Sequence, residues 1–409
     1  MAKTWIITIV MMIAWINVSF AQVIVSGVVK DKESRKELPN VNISVEGSNV
    51  GTVTNADGEF TLKLSEEDAG KGLLVSHIGY TNIRIPKVQM QGEKKRLNVW
   101  LTPYVLTLKD VYVFGGDPID LVGAAIKLIP KNYSDKNNLF SAFYRETIRK
   151  GQRYIGVSEA VADVYKSDYE TRHTLRDKVQ LTKGRRLASQ KQKDTLSVKV
   201  AGGPNMPIFL DVVKNAEDLL NEEMLSRYHF EMGIPICIDD RMQYVIHFRP
   251  MVTLEYALYH GTLYIDQESL AFTRAEFDLD LSDKEKAARS ILRKKPVGLR
   301  FKPQRVSFLV TYRFHNGVLH LNYLRQEMCF KCDWKKRLFS STFTTTSEMV
   351  MVDRTENPEE RIKNSDAFKP MEIFYDVVES YWNEDFWKEY NIIEPTESLE
   401  SAVKKLKKK

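Results

Sequence analysis

The sequence predicts a mainly β protein: an N-terminal seven-stranded β-sandwich of transthyretin or immunoglobulin kind, then an α+β domain with a large curved antiparallel sheet and a few helices. Three observations predict it. Apolar and polar residues alternate with a period of two through most of the chain. Turn residues interrupt these runs at short intervals between residues 23 and 103. Helical spacing is confined to a few short stretches. The length of 409 residues calls for two or three domains. With 43% apolar and 11% aromatic residues the chain can fill sizeable cores, which excludes global disorder. The expected divisions are a leader at 1–21, the sandwich at 22–104, a linker with a short helix at 105–138, the β-rich α+β domain at 139–395 and a basic tail at 396–409.

The start of the chain carries an export pattern. Lys3 is followed by the apolar run Trp5 to Ile16, and Ser19-Phe20-Ala21 places small residues where a signal peptidase reads. The run is short for a membrane span, which needs about 20 residues. A cleaved secretory leader is the expectation, with an uncleaved anchor as the alternative. No Cys follows Ala21, so no lipid attachment is indicated. Cys237, Cys329 and Cys332 are an odd number and make a disulfide framework unsuitable, although an oxidising compartment allows one bridge. Cys329 and Cys332 have the spacing of a redox pair but sit in the strand-like Met328-Cys329-Phe330-Lys331-Cys332, not at a helix start.

The front segment reads as successive short strands. Val23, Val25 and Gly27 to Val29 open one, and Asp31 to Lys36 connect it to Val41, Ile43 and Val45. Gly47 to Gly51 turn the chain, and Asn55-Ala56-Asp57-Gly58 form a tight hairpin turn in which glycine accepts positive φ. Phe60, Leu62 and Leu64 alternate again, followed by Leu73 and Val75, Ile83 and Ile85, and Leu97, Val99 and Leu101.

These residues resemble a known family. Ser26-Gly27-Val28-Val29, Leu38-Pro39-Asn40-Val41, Gly51 to Phe60 and Ser76-His77-Ile78-Gly79-Tyr80 are similar to the carboxypeptidase-regulatory-like domain. That resemblance implies a transthyretin-like sandwich of the kind found beside carboxypeptidases and at the front of TonB-dependent outer-membrane receptors, with no catalytic residue of its own. Neither companion fits the rest of the chain. None of the seven histidines has a Glu three residues later, so the zinc ligands of a carboxypeptidase are missing. A receptor barrel of about 22 strands, each of roughly ten residues, exceeds the length remaining after Val113.

The second domain opens with Asp117-Pro118, an N-cap with proline in the first turn, and Ile119, Val122, Ile126 and Ile129 continue at helical spacing until Pro130. Phe140 to Arg149 and Arg153 to Tyr165 flank a turn at Lys150-Gly151. Asn316-Gly317 predicts a two-residue hairpin that pairs Phe314 with Leu319, Tyr312 with Leu321 and Val310 with Tyr323 on an apolar face. Arg313 with His320 and Thr311 with Asn322 then make the polar face, leaving His315 and His320 as exposed strand residues. A second hairpin is expected around Asp266 to Ser269. Helices are expected at Pro207 to Tyr228, Asp283 to Lys295 and Met371 to Tyr390, the last docking through Trp382, Phe386, Trp387 and Tyr390, with lipid or partner contact by these aromatics as the alternative.

Two further resemblances bear on architecture. Tyr259 to Asp266 with Ala275-Glu276-Phe277 is similar to strand pairs of lipoprotein-localisation carriers, which implies a curved sheet covered by helices. The sandwich together with Phe143-Tyr144-Arg145-Glu146, Lys294-Lys295-Pro296 and Phe386-Trp387-Lys388-Glu389-Tyr390-Asn391 resembles envelope proteins known by their front domain.

No catalytic, cofactor-binding or metal-ligating residue is nominated. Gly156-Val157-Ser158-Glu159-Ala160 lacks the second glycine of a nucleophile elbow, and no phosphate or dinucleotide loop is present. Asp239-Asp240 reads as a solvated turn, and Lys183, Arg185 and Arg186 as an exposed loop with phosphate or lipid-headgroup contact as the alternative. The net charge of +6 sits largely in Lys404, Lys405, Lys407, Lys408 and Lys409, which suits membrane-surface contact by the tail and excludes a nucleic-acid stripe. The expectation is a non-catalytic protein of the periplasm or outer membrane that binds an envelope protein or a lipid or glycan ligand and needs no cofactor. A lipid or lipoprotein carrier and a hydrolase with an unrecognised site are the alternatives.

Overall fold

The computed structural model describes residues 23–87, 96–106, 114–189, 198–200, 202–216, 219–334, 340–382 and 390–407. The leader at 1–21 and Phe386, Trp387, Lys408 and Lys409 lie outside these residues.

The front unit is the expected sandwich, built from β1 (Val23–Asp31), β2 (Asn42–Val45), β3 (Gly51–Val53), β4 (Glu59–Leu64), α1 (Glu66–Ala69), β5 (Leu73–Ser76), β6 (Ile83–Ile85) and β7 (Arg96–Leu101). One sheet has the order β4-β1-β7 and the other β3-β2-β5-β6. Val29, Val41, Ile43, Phe60, Leu62 and Val99 fill the space between them. The turn into β4 forms because the Asn55 side chain accepts from the amides of Asp57 and Glu59, both at 2.9 Å. Gly58, at φ +71°, lets the turn close against the Val29 carbonyl, 2.6 Å from where a Cβ would stand.

The second unit begins with α2 (Pro118–Lys127) and α3 (Ile129–Asn132). Asp117 caps α2 by accepting from the Ile119 amide at 3.0 Å, and Leu121, Val122, Ala125 and Ile126 bury its inner face. Pro130 does not finish the helical segment as expected; it occupies the first turn of α3, where a missing amide proton costs nothing. Next come β8 (Asn138–Lys150), β9 (Arg153–Lys166), β10 (Lys178–Ala188), β11 (Lys199–Val200), α4 (Met206–Phe209), α5 (Glu222–Leu225), β12 (Tyr228–Met232), β13 (Ile236–Ile238), β14 (Arg241–Pro250), β15 (Tyr259–Asp266) and β16 (Phe272–Leu279). The chain closes with α6 (Lys284–Ile291), β17 (Leu292–Lys294), β18 (Leu299–His315), β19 (Val318–Trp334), β20 (Ser341–Glu356), α7 (Phe374–Val377) and α8 (Glu397–Lys407). Among the described residues no helix is long and apolar enough to cross a membrane.

Eleven strands form one antiparallel sheet, β10-β9-β8-β20-β19-β18-β16-β15-β14-β12, with β13 also paired to β14. One face carries the main core, including Phe140, Tyr144, Ala160, Ala162, Phe277, Phe308, Leu324 and Phe330, under the helices and loops. The other face receives the sandwich: Val53 packs with Phe143, Val161, Tyr323, Val350, Val352 and Ile393. Central strands are therefore buried on both sides, which is why Val157 to Val161 are buried without alternation.

The hairpin at Asn316-Gly317 forms with both residues at positive φ, 51° and 84°. Phe314 faces Leu319, Tyr312 faces Leu321 and Arg313 faces His320, as the spacing predicts. A β-bulge then shifts the register, so Thr311 faces Tyr323 and Val310 faces Leu324, in place of the expected pairs with Asn322 and Tyr323. The shift sends Leu324 into the main core and turns Tyr323 toward the sandwich, where its hydroxyl donates to Glu348 at 2.8 Å.

His320 corrects the expectation of an exposed strand residue: it is only 5% exposed. The polar face assumed to meet solvent is where the sandwich docks. Arg313 donates to the Asn49 carbonyl at 2.7 Å, and Asn49 Nδ2 donates to the Arg354 carbonyl at 2.9 Å.

Two expected helices are also corrected. Between Pro207 and Tyr228 the described residues hold only the single turns α4 and α5. Asp211 and Lys214 are drawn into a buried ionic cluster, and their fixed partners dictate the backbone path in place of helical repeat. From Met371 to Trp382 the chain makes α7 and one 3-10 turn, Val378–Tyr381, while 383–389 lie outside the described residues. The helix at Asp283 holds as α6, capped by that aspartate through the amides of Glu285 and Lys286 at 3.0 Å. It ends at Ile291 because Leu292–Lys294 leave to pair with β11.

Candidate functional site

A cavity of about 330 Å³ lies on the helix-covered face of the sheet, over β8, β9, β20 and β19. Strand register builds its floor. Glu146 of β8 faces Ser347 of β20, which faces Gln326 of β19, and this makes a polar row. The neighbouring row is Gly156, Ile148 and Thr345. Residues two apart on a strand share a face, so both rows point into the same space. Val198, Lys199 and Val200 form one side, Gly202 and Gly203 the back, and Ile373 to Asp376 the roof.

Glu146 is the chemically distinctive group. It accepts one hydrogen bond, from the Tyr144 hydroxyl at 3.1 Å, and makes no salt bridge. Burial pushes its carboxyl above the ordinary value of 4.5; Tyr144 and the charge of Lys199 oppose that rise, and Asp376 adds to it. Tyr144 is fully buried and packs edge-on against Phe374 with ring centroids 4.9 Å apart, so the bond to Glu146 is held by the core.

At the mouth, Lys199 Nζ pairs with Asp376 Oδ1 at 2.8 Å. The Tyr375 ring lies 5.5 Å from Lys199 Nζ and 4.6 Å from the Arg186 guanidinium. Arg186 also donates to the Tyr375 carbonyl at 2.9 Å and pairs with Glu379 at 2.6 Å. Lys183, Arg185 and Arg186 therefore correct the expectation of an exposed loop: all three lie on β10, and Arg186 straps the roof to the sheet. Arg185 is instead held with Arg145 around the buried Glu159, on the sandwich side. Arg145 there donates to the Ile393 carbonyl at 2.7 Å.

The back wall hangs on a second buried cluster. Lys166 Nζ lies 2.8 Å from Asp177 and 2.9 Å from Asp211, all three side chains fully enclosed, and it donates to the Pro207 carbonyl at 2.8 Å. Asp211 accepts from the hydroxyls of Tyr169 at 2.7 Å and Tyr312 at 2.8 Å. Burial alone would raise its carboxyl, but Lys166 and the two phenols hold it below the ordinary 3.8. Lys214 donates to Ser167 O and Oγ at 3.1 Å. Lys166 ties this cluster to the 203–214 loop through Asp211 and the Pro207 carbonyl, so its part is to position that loop. Sequence spacing carries no signal for it, since its members come from four separate segments.

The remaining sequence candidates lie apart from the cavity. Asp239 and Asp240 form the β13–β14 turn at φ 53° and 57° and face the sandwich: the Asn82 amide donates to Asp240 at 3.0 Å. Burial raises the Asp239 carboxyl, against Ser76 and Arg313, so this acid is not the solvated turn residue expected. Cys237, Cys329 and Cys332 are not joined in a disulfide, and burial pushes the Cys332 thiol up to about 11, away from reactivity. The His320 ring nitrogens find no hydrogen-bond partner, and burial pushes its pKa down to about 3. A shallower groove near β15 to β19 is lined by arginines already matched to acids: Arg274 to Glu276, Arg325 to Glu327, and Arg305 to Glu327. Among the described residues no group of three His, Cys, Asp or Glu is placed to hold a metal ion.

A comparison with curated proteins gives no match. Similar solved structures include a DUF1329 family protein from Desulfovibrio piger, at TM-score 0.28 and 10% identity, covering 62% of this chain and 100% of that one. A putative outer membrane lipoprotein-sorting protein domain from Vibrio parahaemolyticus aligns at TM-score 0.26 and 9% identity, over 61% of this chain and 94% of that one. MucB aligns at TM-score 0.18 and 11% identity, over 59% and 100%. The family model for the CarboxypepD_reg-like domain matches residues 25–113, and the β1–β7 sandwich is therefore a CarboxypepD_reg-like domain.

Proposed function

We propose that this chain is a non-catalytic binding protein of the cell envelope that holds a small ligand of mixed polarity in the cavity over β8, β9, β20 and β19. The observation that carries this is the cavity itself: about 330 Å³, within the range of small-molecule sites, with a few polar groups set among apolar walls. Its floor is a sheet buried on both faces, which favours a pre-formed site. The sandwich braces the far side of that sheet, and its remaining surface is available to an envelope partner. Export is supported by Lys3, the apolar run Trp5 to Ile16 and Ser19-Phe20-Ala21.

A lipid carrier would need an open apolar hollow along the sheet. Here the described part of that face is packed with side chains such as Phe272, Phe277, Phe308 and Phe330. The cavity floor carries Glu146, Ser347 and Gln326 instead. A hydrolase would need aligned nucleophile and base; the cavity has Ser189 and Ser347 but no histidine among its described lining residues.

The test joins location to binding. The full-length chain, expressed in its host and purified from the envelope fraction, is examined by native mass spectrometry beside Gly156→Leu. A Cβ at Gly156 meets Ile148 at 3.5 Å and Tyr375 at 3.7 Å, ordinary contacts, so a larger side chain there grows into the cavity. A bound small molecule on the natural protein and none on the variant is the expected result. An uncleaved cytosolic protein, or the same bound mass (or none) on both proteins after each one's own sequence mass is subtracted, would end the proposal.

A further inference from the structure

We propose that the cavity selects a cation: an ammonium-bearing small molecule whose charged end pairs with Glu146 and whose apolar body lies against Ile148, Ile155 and Phe374. This deepens the binding role proposed above and rests on it.

Charge balance points this way. Among the described lining residues there are three acids, Glu146, Glu372 and Asp376, and one base, Lys199. Lys199 is engaged at the mouth by Asp376 and is not within salt-bridge distance of Glu146. A carboxylate offers about four acceptor positions, and Glu146 uses one of them, for Tyr144. Glu146 is half-buried and has no cation at ion-pair distance, so an incoming ammonium finds a charged acceptor there.

The floor matches an ammonium in number as well as in charge. An ammonium has three donors to place. Glu146, Ser347 and Gln326 stand in register on three adjacent strands, and strands lie about 4.8 Å apart. A Cβ built on Gly202 would stand 3.4 Å from Gln326 Oε1 and 3.8 Å from Ser347 Oγ, so both oxygens point toward the back of the cavity. A positive φ of 149° at Gly202 keeps that wall free of a side chain. The second floor row, with Ile148 and Gly156 under Phe374 and Tyr375, leaves an apolar slot suited to an aromatic body. An apolar cavity of about 150 Å³ takes benzene, so this volume suits a phenyl ring with a short chain.

Three probes that share a body and differ at the head decide the matter: 4-phenylbutylammonium, 4-phenylbutanol and 4-phenylbutanoate, titrated calorimetrically into the full chain at neutral pH. The ammonium is expected to bind about tenfold or more tightly than the alcohol, as a charge-assisted hydrogen bond allows, with the carboxylate weakest. Glu146→Gln brings the ammonium and the alcohol within about twofold of each other while the alcohol keeps its affinity. Glu146→Asp, with its charge retracted by one methylene, retains part of the preference and serves if the Gln variant does not fold. Equal or tighter binding of the alcohol or carboxylate overturns the cation assignment and leaves the binding role standing. No binding of any probe at millimolar concentration overturns both.

Discussion

Lys166 and Asp211, forty-five positions apart in sequence, meet at 2.9 Å with both side chains wholly enclosed, and their contact fixes where the wall behind the cavity runs. Removing one partner leaves a buried charge uncompensated, a loss of about 3–5 kcal/mol. Asp211→Ala is expected to lower unfolding stability by that amount in urea titrations at pH 7. The sign with pH follows from the depressed carboxyl. Its contribution is complete above the ordinary 3.8 and declines as pH falls through the lower folded-state value, so wild type and variant converge in acid.

Glu146 behaves in the opposite sense. Burial raises its folded pKa above the unfolded value, so the folded state is favoured by protonation and loses that advantage as pH rises. Glu146→Gln keeps the shape and removes the charge. Without ligand, the variant is expected to melt higher than wild type at pH 7, with the difference shrinking toward pH 4. Parallel melting curves at both pH values would contradict the placement of this acid.

The roof is seated by close packing at Gly184, where a Cβ would stand 2.7 Å from Val378 Cγ2 and 3.2 Å from the Val378 carbonyl. Gly184→Ala is expected to lift the 374–382 segment from β10 and cost about 1–3 kcal/mol, as overpacking does. Limited proteolysis should then cut within that segment sooner than in wild type.

His320 reports on sandwich docking. Burial takes its pKa from 6.5 to about 3, so between those values the unfolded chain binds a proton that the folded chain refuses. Stability therefore falls as pH drops through that window. His320→Leu is expected to flatten the slope of unfolding free energy against pH between 6 and 4, and an unchanged slope would show that the ring is solvated.

Local pattern reached far into this molecule. Period-two alternation and Asp-Gly, Lys-Gly and Asn-Gly turns located the sandwich and several hairpins, because strand faces and tight turns are set by neighbours in sequence. The cap at Asp117 and the pairing of Arg313 with His320 were legible for the same reason. The bulge after Tyr312 was not, because it arises from a preference of Leu324 for the main core and of Tyr323 for the docked sandwich.

By itself the sequence determined the β architecture, which rests on spacing within short segments, and the front CarboxypepD_reg-like domain, whose family motifs lie within residues 25–113. Tertiary structure alone decided that the polar face of the β18–β19 hairpin is covered, that Arg186 straps a roof, and that Glu146, Ser347 and Gln326 stand in one row. These are relations between residues up to hundreds of positions apart, and a buried charge declares its partner only when the chain has folded around it.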